Sequence, residues 1–90
     1  MEIREIHLGK NFEKQFQNLS KEIKLKAIKA EQVFKKNAFH PSLRLHKLSG
    51  KLKSLWSISI DRKYRIIFMP RENGDILFIS IGTHAIYYEG

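Results

Sequence analysis

The sequence predicts an α+β domain in the order β-α-α-β-β-β, with two N-terminal helices packed on one face of a four-stranded, mainly antiparallel sheet. Three observations predict it. Apolar residues recur at helical spacing between positions 10 and 37. From Trp56 onward they alternate with polar ones, the period of a half-buried strand. Between the last two apolar runs stands Asn73-Gly74, a strong hairpin signal. Ninety residues make one domain, spanning 1–90.

The elements follow in order. Residues 2–8 read as a short strand with Ile3, Ile6 and Leu8 as its apolar positions, and Gly9 ends it. A short helix over about 10–18 puts Phe12, Phe16 and Leu19 on one face. Ser20 is an N-cap type, and Glu22 lies in the first turn, where the helix dipole favours an acid. The second helix then runs to about Asn37 with Ile23, Ala27, Ala30 and Phe34 as its apolar stripe. His40-Pro41 follows, and the residue before a proline is pushed out of helical geometry.

Leu43, Leu45 and Leu48 lead to a turn at Ser49-Gly50. Trp56, Ile58 and Ile60 alternate with Ser57, Ser59 and Asp61. Asp61-Arg62-Lys63 is a tight connection into a strand over 64–69. Pro70 and Glu72 to Asp75 form the hairpin turn, and Ile76 to Ile81 is a nearly continuous apolar strand of central type. Trp56 reads as core. His7 and His40 have no evident partner and read as structural or surface residues. Covering one sheet face with both helices leaves the other face open to a partner.

Charge sharpens this. Seventeen Lys and Arg oppose nine Asp and Glu, a net +8. Such an excess on a small surface favours a polyanion or an acidic protein. From Arg44 to Arg65 there are seven bases and one acid, Asp61. The plainer alternative is a solvated surface. There is no cysteine, hence no disulfide or thiolate metal site. No apolar run approaches the roughly 20 residues of a membrane span, so a soluble cytoplasmic protein is expected. No two His share a helix face at ligand spacing and no carboxylate cluster is visible, so neither metal nor cofactor is expected.

In the strand over 64–69, alternation puts Arg65 with Ile67 and Met69, opposite Tyr64, Ile66 and Phe68. A charge is not expected beneath the helices, so Arg65 should point into the open face. The plainer alternative is an edge-strand Arg that discourages strand pairing.

Three segments then carry a family resemblance: Leu43-Arg-Leu-His-Lys-Leu-Ser-Gly50, Leu55-Trp-Ser-Ile-Ser-Ile-Asp-Arg-Lys-Tyr-Arg-Ile-Ile-Phe68, and Ile79-Ser-Ile-Gly-Thr-His-Ala-Ile-Tyr-Tyr88. In residues, spacing and element order the chain resembles the RelE/ParE superfamily of type II toxins, nearest its RelE/YafQ-like mRNA-cleaving branch. The resemblance implies a ribosome-dependent endoribonuclease that cuts messenger RNA in the A site and is held inactive by a cognate antitoxin.

Metal-free RNA cleavage needs a base for the 2′-OH, an acid for the leaving 5′ oxygen and a cation for the phosphorane. His84 matches the branch's terminal His and is the first candidate for acid or base. Arg65 matches a strand Arg of RelE-like toxins and suits a phosphate clamp. His46 matches a further His and would be the partner base. Tyr88 fits the terminal aromatic, able to stack on a base or touch phosphate. Arg44, Lys47, Lys51, Lys53 and Arg62 are candidates for RNA backbone contacts. Plainer alternatives are a capping His84 and a surface His46. The chain also departs from the family. It has no Arg in the stretch Ser57, Ile58 and Ser59, no second His near Ser59 and no matching Asp near Lys63, although Asp61 is close. Two other readings therefore compete: a ParE-like inhibitor of DNA gyrase, and a basic RNA- or protein-binding module that has lost its chemistry.

Overall fold

Ser20 sets the start of the longest helix. Its hydroxyl accepts a hydrogen bond from the Ile23 N–H at 3.3 Å, which satisfies one donor that a helix start leaves open. Helix α2 runs from there over Lys21–Lys36, and Asn37 leaves it in extended geometry. Helix α1, Lys10–Gln17, precedes it. The protein is seen in a computed structural model that describes residues 2–88, with side chains through Ile86.

The sheet has five strands: β1 (Ile6–Leu8), β2 (His46–Lys47), β3 (Trp56–Ser59), β4 (Arg65–Pro70) and β5 (Ile76–Gly82). Their order is β1-β5-β4-β3-β2. β1 runs parallel to β5 and the other pairs are antiparallel. The α+β class, the helix layer and the paired, central β5 follow the sequence expectation. Two details differ. The first strand is shorter than 2–8, and His46–Lys47 adds a fifth strand to the four expected. A two-residue strand is too short to show any period.

A bulge in β5 serves the core. Ile67 pairs with Ser80, but Phe68 pairs with Phe78, so Ile79 is the extra residue. Phe78 and Ile81, three apart, can then both face the helices. There Phe34 packs on Phe68 and Phe78 at centroid distances of 5.0 and 6.0 Å. Ala27 and Ala30 keep α2 close, and Phe12 brings in α1. Trp56 packs half-buried against the same core.

Helix α1 also covers the edge of β5 beyond the short β1. Gly9 N–H donates to Phe78 O at 2.9 Å, and the Gln15 Oε1 accepts from the Ile81 N–H at 2.9 Å. A Cβ at Gly9 would meet the Phe78 carbonyl oxygen at 3.0 Å, a tight contact that favours glycine at this close approach.

The opposite sheet face, expected to be open to a partner, is only partly open. Leu48, Ile67 and Ile86 form a second, small core there, with Leu52 and Leu55 against it. Ile86 belongs to a 3₁₀ helix, His84–Tyr88, that folds back across this face.

Both histidines read as partnerless have partners. His7 Nε2 lies 3.1 Å from Asp75 Oδ2, which joins β1 to the hairpin turn. Glu5 stands close to the same pair. His40 Nδ1 accepts from the Ser42 N–H at 3.1 Å and lies 2.8 Å from its hydroxyl. Sequence periodicity misses such contacts, since His7 and Asp75 are 68 residues apart.

Candidate functional site

Cross-strand register places the polar side chains of the second face. Residues paired across a ladder share a face. Ser59 is opposite Arg65, and Arg65 is opposite Gly82. One row down, His46 is opposite Ser57, and Ser57 is opposite Ile67. Ile67 lies in the second core, so His46, Ser57, Ser59 and Arg65 all lie on that side of the sheet. The short β2 therefore brings His46 into the site.

Gly82 brings His84. A Cβ there would meet Ile86 Cγ2 at 2.6 Å, so only glycine lets the chain double back tightly enough to seat Ile86 on the second core. The same reversal carries His84 over the end of the sheet. Arg44, His46, Ser59, Arg65 and His84 line one cleft of about 530 Å³, with Leu48, Ser49, Leu52 and Ser57 as its remaining walls. His46 and His84 are exposed, and Arg65 is half-buried.

Arg65 is held by backbone. Its Nη1 donates to the Asp61 carbonyl at 3.1 Å and to the Tyr64 carbonyl at 3.5 Å. Its other guanidinium N–H groups keep their capacity to donate. The Asp61 carboxylate is used elsewhere. Its Oδ1 accepts from the N–H groups of Lys63 and Tyr64 at 2.9 and 2.8 Å, an Asx turn. Its Oδ2 meets Lys26 Nζ at 3.4 Å. Burial works against ionisation of Asp61, but the Tyr64 and Lys63 N–H groups and Lys26 together hold its carboxyl below the ordinary carboxylate value. Asp61 thus shapes the connection before Arg65 and contributes no carboxylate to the cleft.

The other candidates fall in different places. Arg44 lines the cleft, and Arg62 lines the neighbouring one. Lys51 and Lys53 are exposed on the loop whose Ser49 and Leu52 form the cleft wall. Lys47 pairs with Trp56, which sets it on the helix side, away from the cleft. Tyr88 ends the last 3₁₀ helix, but its side chain lies outside the described residues. Ser57 and Ser59, not among the residues expected from the sequence, are buried in the cleft wall. Their alternation against Ile58 and Ile60 was the available signal. Among the described residues no helix is long and apolar enough to cross a membrane.

This architecture is shared. A chain of the DinJ–YafQ toxin–antitoxin complex of Escherichia coli superposes with a TM-score of 0.76 at 19% identity, over 94% of this chain and 97% of that one. A YoeB/ParE toxin from Agrobacterium tumefaciens gives 0.75 at 14% identity, over 90% and 99%. The archaeal RelE–RelB complex from Pyrococcus horikoshii gives 0.71 at 17%, over 92% and 96%. No curated protein sequence matches significantly. Two helices over this sheet, with a basic cleft behind it, define a toxin fold of the RelE/ParE type. Residues 7–84 match the HigB-like toxin family, and the chain belongs to it, among the RelE-like toxins of type II toxin–antitoxin systems.

Proposed function

We propose that this toxin is a metal-free endoribonuclease that cuts messenger RNA in the ribosomal A site. The observation that carries this reading is the shared lining of one cleft by His46, Arg65 and His84. His46 removes the proton from a 2′-OH. That oxygen bonds to phosphorus while the bond from phosphorus to the 5′ oxygen breaks. His84 donates a proton to the departing 5′ oxygen. The products are a 2′,3′-cyclic phosphate and a 5′-OH, with His46 protonated and His84 neutral. Arg65, its guanidinium pre-oriented by two carbonyls, stabilises the charge that grows on the phosphorane. Arg44 holds the adjacent phosphate, and Lys51 and Lys53 attract the RNA backbone. Tyr88, in the family's terminal aromatic position, stacks on a base.

A cognate antitoxin is the expected protein partner. Two of the neighbours above were solved as toxin–antitoxin complexes, and a net +8 suits an acidic one. The cytoplasm is the expected place of action, since ribosomes are there.

Induction in bacteria, with 5′ ends of messenger RNA mapped beside a His84→Ala control, tests the reading. Cuts inside translated codons that vanish in the control are the expected result. Growth arrest with DNA damage and no cuts would move the assignment to gyrase inhibition. Neither arrest nor cuts would leave a binding module without chemistry.

A further inference from the structure

The cleft holding His46 and His84 adjoins two others. Arg44 and Ser59 line both it and a second cleft of about 380 Å³, which also takes in Arg62. Ser42, Ser59 and Asp61 are shared by the second cleft and a third of about 510 Å³, which reaches Lys26, Lys29 and His40. Shared walls set the three side by side as a segmented groove, from the end of the sheet to the flank of α2.

Three features make this groove a path for a phosphodiester chain. Its only acid among the described residues is Asp61, and Asp61 is occupied by two N–H groups and Lys26. Lys29 and Arg62, by contrast, have no ion pair among the described residues. His40 accepts the Ser42 N–H on Nδ1, so the neutral ring carries its proton on Nε2 as a donor. At the junction stands Arg44, the only non-glycine residue among those described with a left-handed backbone, at φ 47 and ψ 51. Such a conformation is unfavourable for arginine, and it sets Arg44 on the wall common to the first two clefts.

Building on the nuclease reading above, we propose that this groove holds the RNA strand beyond the scissile phosphate. Arg44 takes the next phosphate along, and Arg62 and Lys29 take more distant ones. Contacts of this kind add affinity without reading sequence.

Oligouridines of three, six and nine nucleotides, 2′-O-methylated to block cleavage, test this by fluorescence anisotropy. Wild-type affinity rises about tenfold from trimer to nonamer at low salt. Lys29→Ala removes most of that gain and leaves trimer affinity unchanged. With Arg62→Ala added, the double variant has a nonamer salt slope about 1.4 smaller than wild type, for two lost contacts to a single strand. Circular dichroism checks that both variants fold. A gain that persists in the double variant overturns the proposal, as does a wild type that binds trimer and nonamer equally. If length has no effect but the double variant binds ribosomes less, the groove meets ribosomal RNA and the same-strand proposal fails. None of these results depends on cleavage, so they stand apart from the His84→Ala mapping.

Discussion

One sheet carries two unlike faces. The face under the helices is built from large rings and β-branched side chains: Phe34, Phe68 and Ile58 are fully buried, and Phe78 and Ile66 are 1% exposed. The other face carries a small core of Leu48, Ile67 and Ile86, and beside it a polar cleft with Ser57, Ser59, Arg65 and two histidines. The two faces divide the labour. Apolar burial on the first face supplies most of the hydrophobic stabilisation. The second buries only enough to seat the segment that carries His84. Its polar residues can then be chosen for chemistry, with Arg65 half-buried and still hydrogen-bonded.

Substitutions on the first face should remove stability and activity together. Phe34→Ala deletes the ring between Phe68 and Phe78, and a cost of about 3–5 kcal/mol is expected. Denaturant unfolding measures it. A cost below about 1 kcal/mol would show that the helix face is not the main source of stability.

On the second face the two effects should separate. If the proposed nuclease reading holds, His84→Ala slows RNA cleavage by about 10²–10⁴-fold while changing unfolding free energy by less than about 0.5 kcal/mol. Equal losses of both would make His84 a structural residue.

Gly82 joins the two effects. Gly82→Ala drives a methyl into Ile86 and is expected to cost about 1–3 kcal/mol, and to impair cleavage through displacement of His84. Ile86→Ala removes the clashing Cγ2, so the double variant should be less destabilised than the sum of the singles. Strict additivity would mean the clash relaxes without moving the segment.

The smallest effect is expected at the border of the faces. The folded-state pKa of Asp61 is depressed, so its stabilisation is full above the unfolded carboxylate value of about 3.9. It is lost as pH falls through the lower folded value. Asp61→Asn keeps an Oδ1 acceptor for the turn and removes the charge opposite Lys26. The variant should lose less than about 1 kcal/mol at neutral pH, and the difference from wild type should shrink on acidification. A difference that grows with acid would reverse the sign of this assignment.

The site was legible in part. Alternation placed Arg65 opposite Ile66 and Phe68, which assigns it to the face away from the helices. Family likeness marked His84 and His46 by their neighbours. Nothing periodic, however, marked His46–Lys47 as a strand, and only that pairing shows His46 facing the cleft while Lys47 turns away. The Ile79 bulge was hidden as well, because an apolar run looks alike with or without one extra residue. Arg44 was singled out for its charge alone; its left-handed backbone comes from the chain path between Pro41 and β2.

Features that depend on neighbours within a few residues are readable from the sequence. The extents of α1 and α2, the Ser20 cap, the Asn73-Gly74 turn and the alternation of β3 and β4 all follow from local backbone geometry and local patterning. Features that depend on residues far apart in the chain arise only in the folded protein: the parallel pairing of β1 with β5, the His7–Asp75 contact, the edge strand that carries His46, and the return of Ile86 over Gly82 that brings His84 into the cleft that Arg65 lines. These rest on packing and on hydrogen bonds between distant segments, whose partners no local pattern names.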